Sequence, residues 1–289
     1  MKKISLLDSI GILFEDENYL VINKPAGLVV HSDGKTEQET LTQWILKKYP
    51  EMKEVGEPLK IESRFMIHDS RQDSRQENTD DSSPESKFMN HASTLIYRPG
   101  IVHRLDKETS GVLLIAKNQE AYLSAKKQFQ GREIKKVYNA FIYGEMKEEK
   151  GKIERPIGRS KNDFRKWTAQ RGARGEMREA VTNYRVIKKS KGFSYVEVSP
   201  ETGRTHQIRV HFKAINHPVV CDKLYAEGKE SALGFTRLAL HACSLEFVLM
   251  GGKRLKVEAQ LPEDFVRALN LLDTMSQERY AIENYIENI

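Results

Sequence analysis

The chain has 289 residues, 39% of them apolar and 30% charged, with 47 Lys/Arg against 41 Asp/Glu and two cysteines. That length buries a sizeable core, no apolar run approaches the roughly 20 residues of a membrane span, and two cysteines cannot staple a small fold. Disordered, membrane-spanning and disulfide-rich classes are therefore excluded. The early acids in MKKISLLDSIGILFEDE argue against a signal peptide, and a reducing, cytoplasmic setting is expected.

Phe14–Asp16 leads into an apolar strand at Tyr19–Asn23, and Lys24-Pro25-Ala26-Gly27 is turn chemistry. Leu28–His31 reads as a returning strand. A helix is expected over about 38–49, with Leu41, Ile45 and Lys48 on one stripe and Trp44 beside them. Residues 58–97 hold the polar run SRQDSRQENTDDSSPES, which offers too little apolar surface to offset its ordering entropy. That segment reads as a low-complexity, mobile insertion in one domain spanning 1–289. A linker between two domains is disfavoured, because the residues before it make a poor independent core.

Val112–Ala116 is a short buried strand. Asn118 then caps a helix whose apolar stripe is Tyr122, Ala125 and Phe129, and Gly131 ends it. Strands are read at Val137–Tyr143, Ala180–Ile187 and Phe193–Val198, a helix at Arg204–Ile215, further strands near 238–248 and 254–259, and a helical tail from about 263. Strands and helices do not alternate regularly. The expected class is therefore α+β, a mainly antiparallel, bent mixed sheet flanked by helices.

Charge is unevenly placed. Residues 152–213 hold 16 Lys/Arg against six Asp/Glu, a surplus of +10 on a chain whose total is +6. Phe164, Trp167 and Tyr184 lie among these cations, as on a surface that binds a polyanion. Two clusters carry candidate chemistry. In Ile101-Val-His103-Arg104-Leu105-Asp106-Lys-Glu-Thr109-Ser110-Gly111 a carboxylate stands among cations where a loop meets an apolar strand. Asp106 is there either a nucleophile or base, or the cap of the turn at Thr109 and Ser110. In Thr202-Gly203-Arg204-Thr205-His206-Gln207-Ile208-Arg209-Val210-His211, Ile208, Phe212 and Ile215 form a buried helical stripe. Arg209 lies beside that stripe, placed to pair with a carboxylate in a cleft and keep it ionised. His206, His211 and His217 lack metal-ligand spacing and read as solvated or phosphate-contacting. No phosphate-cradling glycine loop and no serine-hydrolase elbow is present.

His103-Arg104-Leu105-Asp106-x-x-Thr109-Ser110-Gly111, followed by Val-Leu-Leu-Ile-Ala-Lys117, resembles the catalytic signature of the RluA-type pseudouridine synthases. Four more segments resemble that family in order: Asp16–Gly27 with Val30-His31, Lys136–Ala140, Thr202–His211 with His217-Pro218-Val219, and Arg237–Ala242 with Leu261-Pro262. The resemblance runs from about residue 12 to 266. It implies isomerisation of uridine to pseudouridine within rRNA or tRNA, without a cofactor or metal. By position, Asp106 becomes the nucleophile, and Arg209 its ion-pair partner. Tyr138 stacks on the uracil and is a candidate for removing the C5 proton. Ile208 walls the base pocket, His103 and Arg104 contact RNA with Arg104 filling the vacated stack, and Leu105, Thr205 and His206 join the substrate-binding set. The base must leave its stack to reach a buried carboxylate, and aromatic and cationic groups offset that unstacking.

Two positions depart from the family: Asn216 and Cys221 stand where it often has glycine, which reads as a local turn adjustment. No room precedes residue 12 for the small S4 domain of many relatives, so RNA binding falls to the catalytic domain, acting as a monomer. The alternative is an inactive RNA-binding or ribosome-assembly protein on the same fold. The joint presence of Asp106, Tyr138 and Arg209 argues against it.

Overall fold

The computed structural model describes residues 5–31, 38–57, 59–61, 94–96, 98–170 and 172–287. The elements begin with β1 (Gly11–Glu15), β2 (Tyr19–Lys24), α1 (Leu41–Lys48), β3 (Leu59–Ile61), β4 (Thr94–Ile96), β5 (Ser110–Ala116) and α2 (Gln119–Gln130). They continue with β6 (Lys135–Tyr143), β7 (Lys150–Glu154), β8 (Ile157–Ser160), β9 (Trp167–Thr168), β10 (Ala173–Arg178), β11 (Val181–Ser190) and β12 (Phe193–Pro200). Last come α3 (Gln207–Ala214), β13 (Leu240–Val248), β14 (Arg254–Glu258) and α4 (Glu263–Glu287).

A nine-stranded sheet runs β1-β2-β5-β13-β6-β12-β11-β7, with β14 pairing β13. Its pairings are antiparallel except β5–β13, where His241 and Ala242 lie beside Ser110 and Gly111. The class is α+β. Tyr19–Ile22 of β2 and Val112–Ala116 of β5 are apolar without interruption because both their faces are covered. Tyr19, Val21, Val112 and Leu114 pack with Ala121 and Ala125 of α2. Leu20, Ile22, Leu113 and Ile115 pack with Leu41 and Ile45 of α1 on the other side. The opposite half of the sheet is closed by Phe141, Phe212, Phe235 and Phe265. Among the described residues no helix is long and apolar enough to cross a membrane.

The caps follow the sequence. Asn118 accepts from the Ala121 amide at 2.9 Å, and Gly131 follows the last turn of α2. Thr40 and Gln43 form a reciprocal capping box that starts α1 at Leu41.

Two expectations are corrected. Leu28–His31 is not a strand; it makes one bridge, Val29 to Thr40. Its carbonyls are already used by the first turn of α1, since Val29 and Val30 accept from the Leu41 and Thr42 amides. The helix expected from Arg204 begins only at Gln207. The Gln207 side-chain oxygen accepts from the Arg204 amide at 2.9 Å and the Thr202 hydroxyl at 2.7 Å, folding 202–206 into a loop. The strands β3 and β4 pair antiparallel at the ends of the 58–97 segment, and the polar run expected to be mobile lies outside the described residues.

Candidate active site

Asp106 stands on the loop that enters β5. Its main-chain carbonyl closes the turn by accepting from the Thr109 amide at 3.1 Å, so its carboxylate is not needed as a cap. That carboxylate accepts from Arg209 Nη1 at 2.9 Å. Leu105, 4% exposed, pins the loop into the apolar cluster beneath it. Lys24, fully buried, pins it from below: its ammonium donates to the carbonyls of Pro25 (2.8 Å), Leu28 (2.9 Å) and Lys107 (3.1 Å). Three donors meet three acceptors, so this buried amine is satisfied as a cation, although burial draws its pKa down to about 7.

The other wall is α3. Arg209 uses its remaining nitrogens on Asp222, Nε to Oδ2 at 2.7 Å and Nη2 to Oδ1 at 2.8 Å. Asp222 also accepts from the Leu224 and Tyr225 amides, which fixes it in its turn. The guanidinium is thus shared between a buried carboxylate that anchors it and one that faces the cleft. Asn216 and Cys221, expected to mark a local turn adjustment, both take left-handed backbone, at φ 65° and 56°. The turn keeps a glycine-like path with residues that pay about 1–2 kcal/mol each for it.

Burial is the largest influence on Asp106 and raises its carboxyl pKa. His206, Arg209 and Arg104 outweigh it and hold the group below the usual carboxylate range. The attraction of His206 requires its proton, and burial lowers His206 itself. At neutral pH it is therefore the two arginines that keep Asp106 ionised. Asp222 and Asp106 together hold Arg209 protonated against its burial.

Tyr138 is set by β-pairing. It lies opposite Ala242 of β13, whose other side abuts Gly111 of β5. One strand therefore spaces the tyrosine from the end of the Asp106 loop. Its ring packs between the two core clusters nearest the loop. Burial first and the Asp106 charge second push its phenol up, so it stays protonated.

A cleft of about 290 Å³ opens over Asp106, lined also by Arg104, His206, Arg209, Asp222, Lys223 and Arg237. Arg104 is exposed at its edge, with Nη1 3.4 Å from His31 Nε2. Burial, with Arg98 and Arg104 nearby, lowers His31 to about 4, so its neutral ring accepts from Arg98 at 2.7 Å. His206 lies 4.0 Å from Asp106 Oδ2, Thr205 is exposed beside it, and Ile208 is buried beneath. His103 is placed differently. Its Nε2 accepts from the Leu114 amide at 2.9 Å and its ring stacks on Phe129 at 4.7 Å. Burial pushes it down to about 3, so it serves the fold as a neutral acceptor. His103, Leu105, Tyr138, Thr205 and Ile208 do not line the cleft itself. His211, expected to be solvated, is fully buried between Thr182 Oγ1 and the Arg155 carbonyl, each at 2.9 Å.

Sequence reasoning missed Lys24, Asp222 and Tyr225. Lys24 read as a turn lysine, and Asp222 was hidden in a stretch noted only for its missing glycines. Among the described residues no group of three or more His, Cys, Asp or Glu is arranged to hold a metal.

A family model described as RNA pseudouridylate synthase matches residues 18–214, which include Asp106, Tyr138 and Arg209. The chain belongs to that family. Its relatives include a ribosomal large subunit pseudouridine synthase D of Zymomonas mobilis, 32% identical over 90% of this chain and 72% of the relative. An uncharacterized RNA pseudouridine synthase of Bacillus subtilis is 32% identical over 91% of this chain and 73% of its own. Among solved structures, human RNA pseudouridylate synthase domain containing 4 aligns with a TM-score of 0.63 at 26% identity, covering 91% of this chain and 93% of that one. This pseudouridine synthase is thus an RluA-type isomerase acting on RNA.

Proposed function

We propose that this RNA pseudouridine synthase isomerises a flipped-out uridine of ribosomal RNA, with Asp106 as its nucleophile. The observation that carries the reading is the cleft carboxylate held ionised by Arg209, which is itself anchored by Asp222. Relatives named for the large ribosomal subunit favour ribosomal over transfer RNA as substrate. The carboxylate attacks the target nucleoside and the N1–C1′ bond breaks. The freed uracil turns against the Tyr138 ring, C5 bonds to C1′ as the bond to Asp106 breaks and frees the carboxylate, the C5 proton leaves, and N1 gains one. Because burial keeps the Tyr138 phenol protonated, its hydroxyl takes the C5 proton only as a relay that passes its own proton on. Ile208 walls the base pocket, while Thr205 and His206 meet the backbone around it. Arg104, held at the rim by His31, fills the gap left by the flipped base. The enzyme works as a cytoplasmic monomer.

The test is tritium release from RNA labelled at uridine C5. Asp106→Asn abolishes release while RNA affinity stays within about threefold of wild type. An Asp106→Asn enzyme that stays fully active sinks the assignment. Mapping pseudouridines in ribosomal and transfer RNA of a deletion strain identifies the target.

A further inference from the structure

Tyr225 is 5% exposed and touches three parts of the site without lining the cleft. Its hydroxyl accepts from the Trp167 backbone amide at 2.9 Å and lies 2.8 Å from His206 Nδ1. Its ring carries the Arg209 guanidinium, 5.0 Å from the centroid. Its own amide donates to Asp222. Trp167 belongs to β9 of the small three-stranded sheet β10-β8-β9, where Arg159, Arg174 and Arg178 are exposed.

The hydrogen-bond bookkeeping fixes protons. An amide N–H can only donate, so the Tyr225 oxygen is an acceptor toward Trp167. That oxygen could accept a second time, but its buried proton would then be unpaired. Among the described contacts His206 Nδ1 is its one acceptor, so the hydroxyl donates there and the imidazole proton sits on Nε2. Nε2 is the atom that faces Asp106 Oδ2, at 4.0 Å. His206 also holds a left-handed backbone, φ 56° and ψ 20°, with no side-chain cap for α3. A β-carbon residue in that region is strained, and such strain persists only where surroundings enforce it.

We propose that Tyr225 is a positioning residue: its hydroxyl locks His206 as the Nε2–H tautomer aimed at Asp106, its ring seats Arg209, and Trp167 ties both to the basic sheet. At 4.0 Å the Nε2–H is too far to spend its proton on Asp106 in the free enzyme. It is a donor held for whatever oxygen the RNA places against that carboxylate. Arg209, Arg104, Asp106 and Asp222 are the charges that act on His206; burial, the largest influence, keeps it neutral. The inference rests on Asp106 being the reacting group.

Nitrogen-15 spectra of histidine-labelled protein read the tautomer without any turnover, and single-turnover rates at saturating RNA read the consequence. Wild type shows His206 as one Nε2–H tautomer. Tyr225→Phe keeps the ring over Arg209 but removes the hydroxyl. It gives a tautomer mixture and a rate at least tenfold lower, with RNA affinity within about twofold. His206→Gln, which can present an amide N–H near the Nε2 position, retains more activity than His206→Leu. The double variant Tyr225→Phe/His206→Leu is no slower than His206→Leu alone, because both changes remove one function. An unchanged tautomer in Tyr225→Phe, a wild-type rate, or additive losses in the double variant overturns the proposal. An active Asp106→Asn enzyme overturns instead the reading of the site, and the tautomer result stands apart from it.

Discussion

A carboxylate moved out of water loses its charge unless something offsets the lost hydration. At Asp106 the offset comes chiefly from Arg209 at 2.9 Å, and Arg209 is in turn kept in place by the two oxygens of Asp222. Arg209→Met therefore strands two carboxylates. We expect a loss of about 3–5 kcal/mol in urea denaturation, the usual cost of breaking a buried ion pair from one side. The sign of the pH effect follows as well. With the cation gone, burial pushes the Asp106 carboxyl up less opposed, so the acidic limb of the pH–rate profile moves to higher pH, toward neutrality. An unmoved limb would mean that Asp106 is not the group titrating. Arg209 was legible as a charged residue between apolar neighbours, and Asp106 as a carboxylate among cations where a loop meets an apolar strand. Lys24, Asp222 and Tyr225 were not, since each acts through partners that only the tertiary fold supplies. No local pattern announces that three main-chain carbonyls will converge on one ammonium.

At the level of elements, the buried central strands were legible, whereas β1 and the strands β7–β10 were not. Tyr19–Ile22 and Val112–Ala116 are unbroken apolar runs, and the sheet buries them on both faces. Helix starts were legible where a side chain caps locally, as Asn118 does, and misread where the capping group comes from within the helix, as Gln207 does. Gly111 shows what sequence cannot price. It has φ 114°, and a β-carbon there would lie 2.1 Å from the Ala242 carbonyl oxygen. Gly111→Ala must either part β5 from β13 or strain both. We expect a loss of about 2–4 kcal/mol from the combined backbone and overpacking costs, read as a lower urea midpoint. Activity should fall further than stability requires, because β13 also sets Tyr138.

For the molecule as a whole, the +10 surplus of residues 152–213 is partly spent internally. Arg209 serves two carboxylates, Lys166 pairs with Glu227, and Arg185 with Glu197. Among the described residues, Arg159, Lys161, Arg174, Arg178 and the tip residue Phe164, 79% exposed, are among the groups open to a polyanion. RNA affinity should accordingly fall by roughly 10- to 100-fold between 50 and 200 mM salt, and Arg174→Glu/Arg178→Glu should flatten that slope. An unchanged slope would move the RNA to another face. The sheet order has a consequence in time. β13 lies between β5 and β6 but is made long after both. A chain emerging from the ribosome carries Asp106, Tyr138 and Arg209 well before it carries residues 240–248. Until those arrive, the two halves of the sheet have no shared strand, and closing so long a loop is slow. The two halves of the site therefore cannot share one sheet until nearly the whole polypeptide has been made.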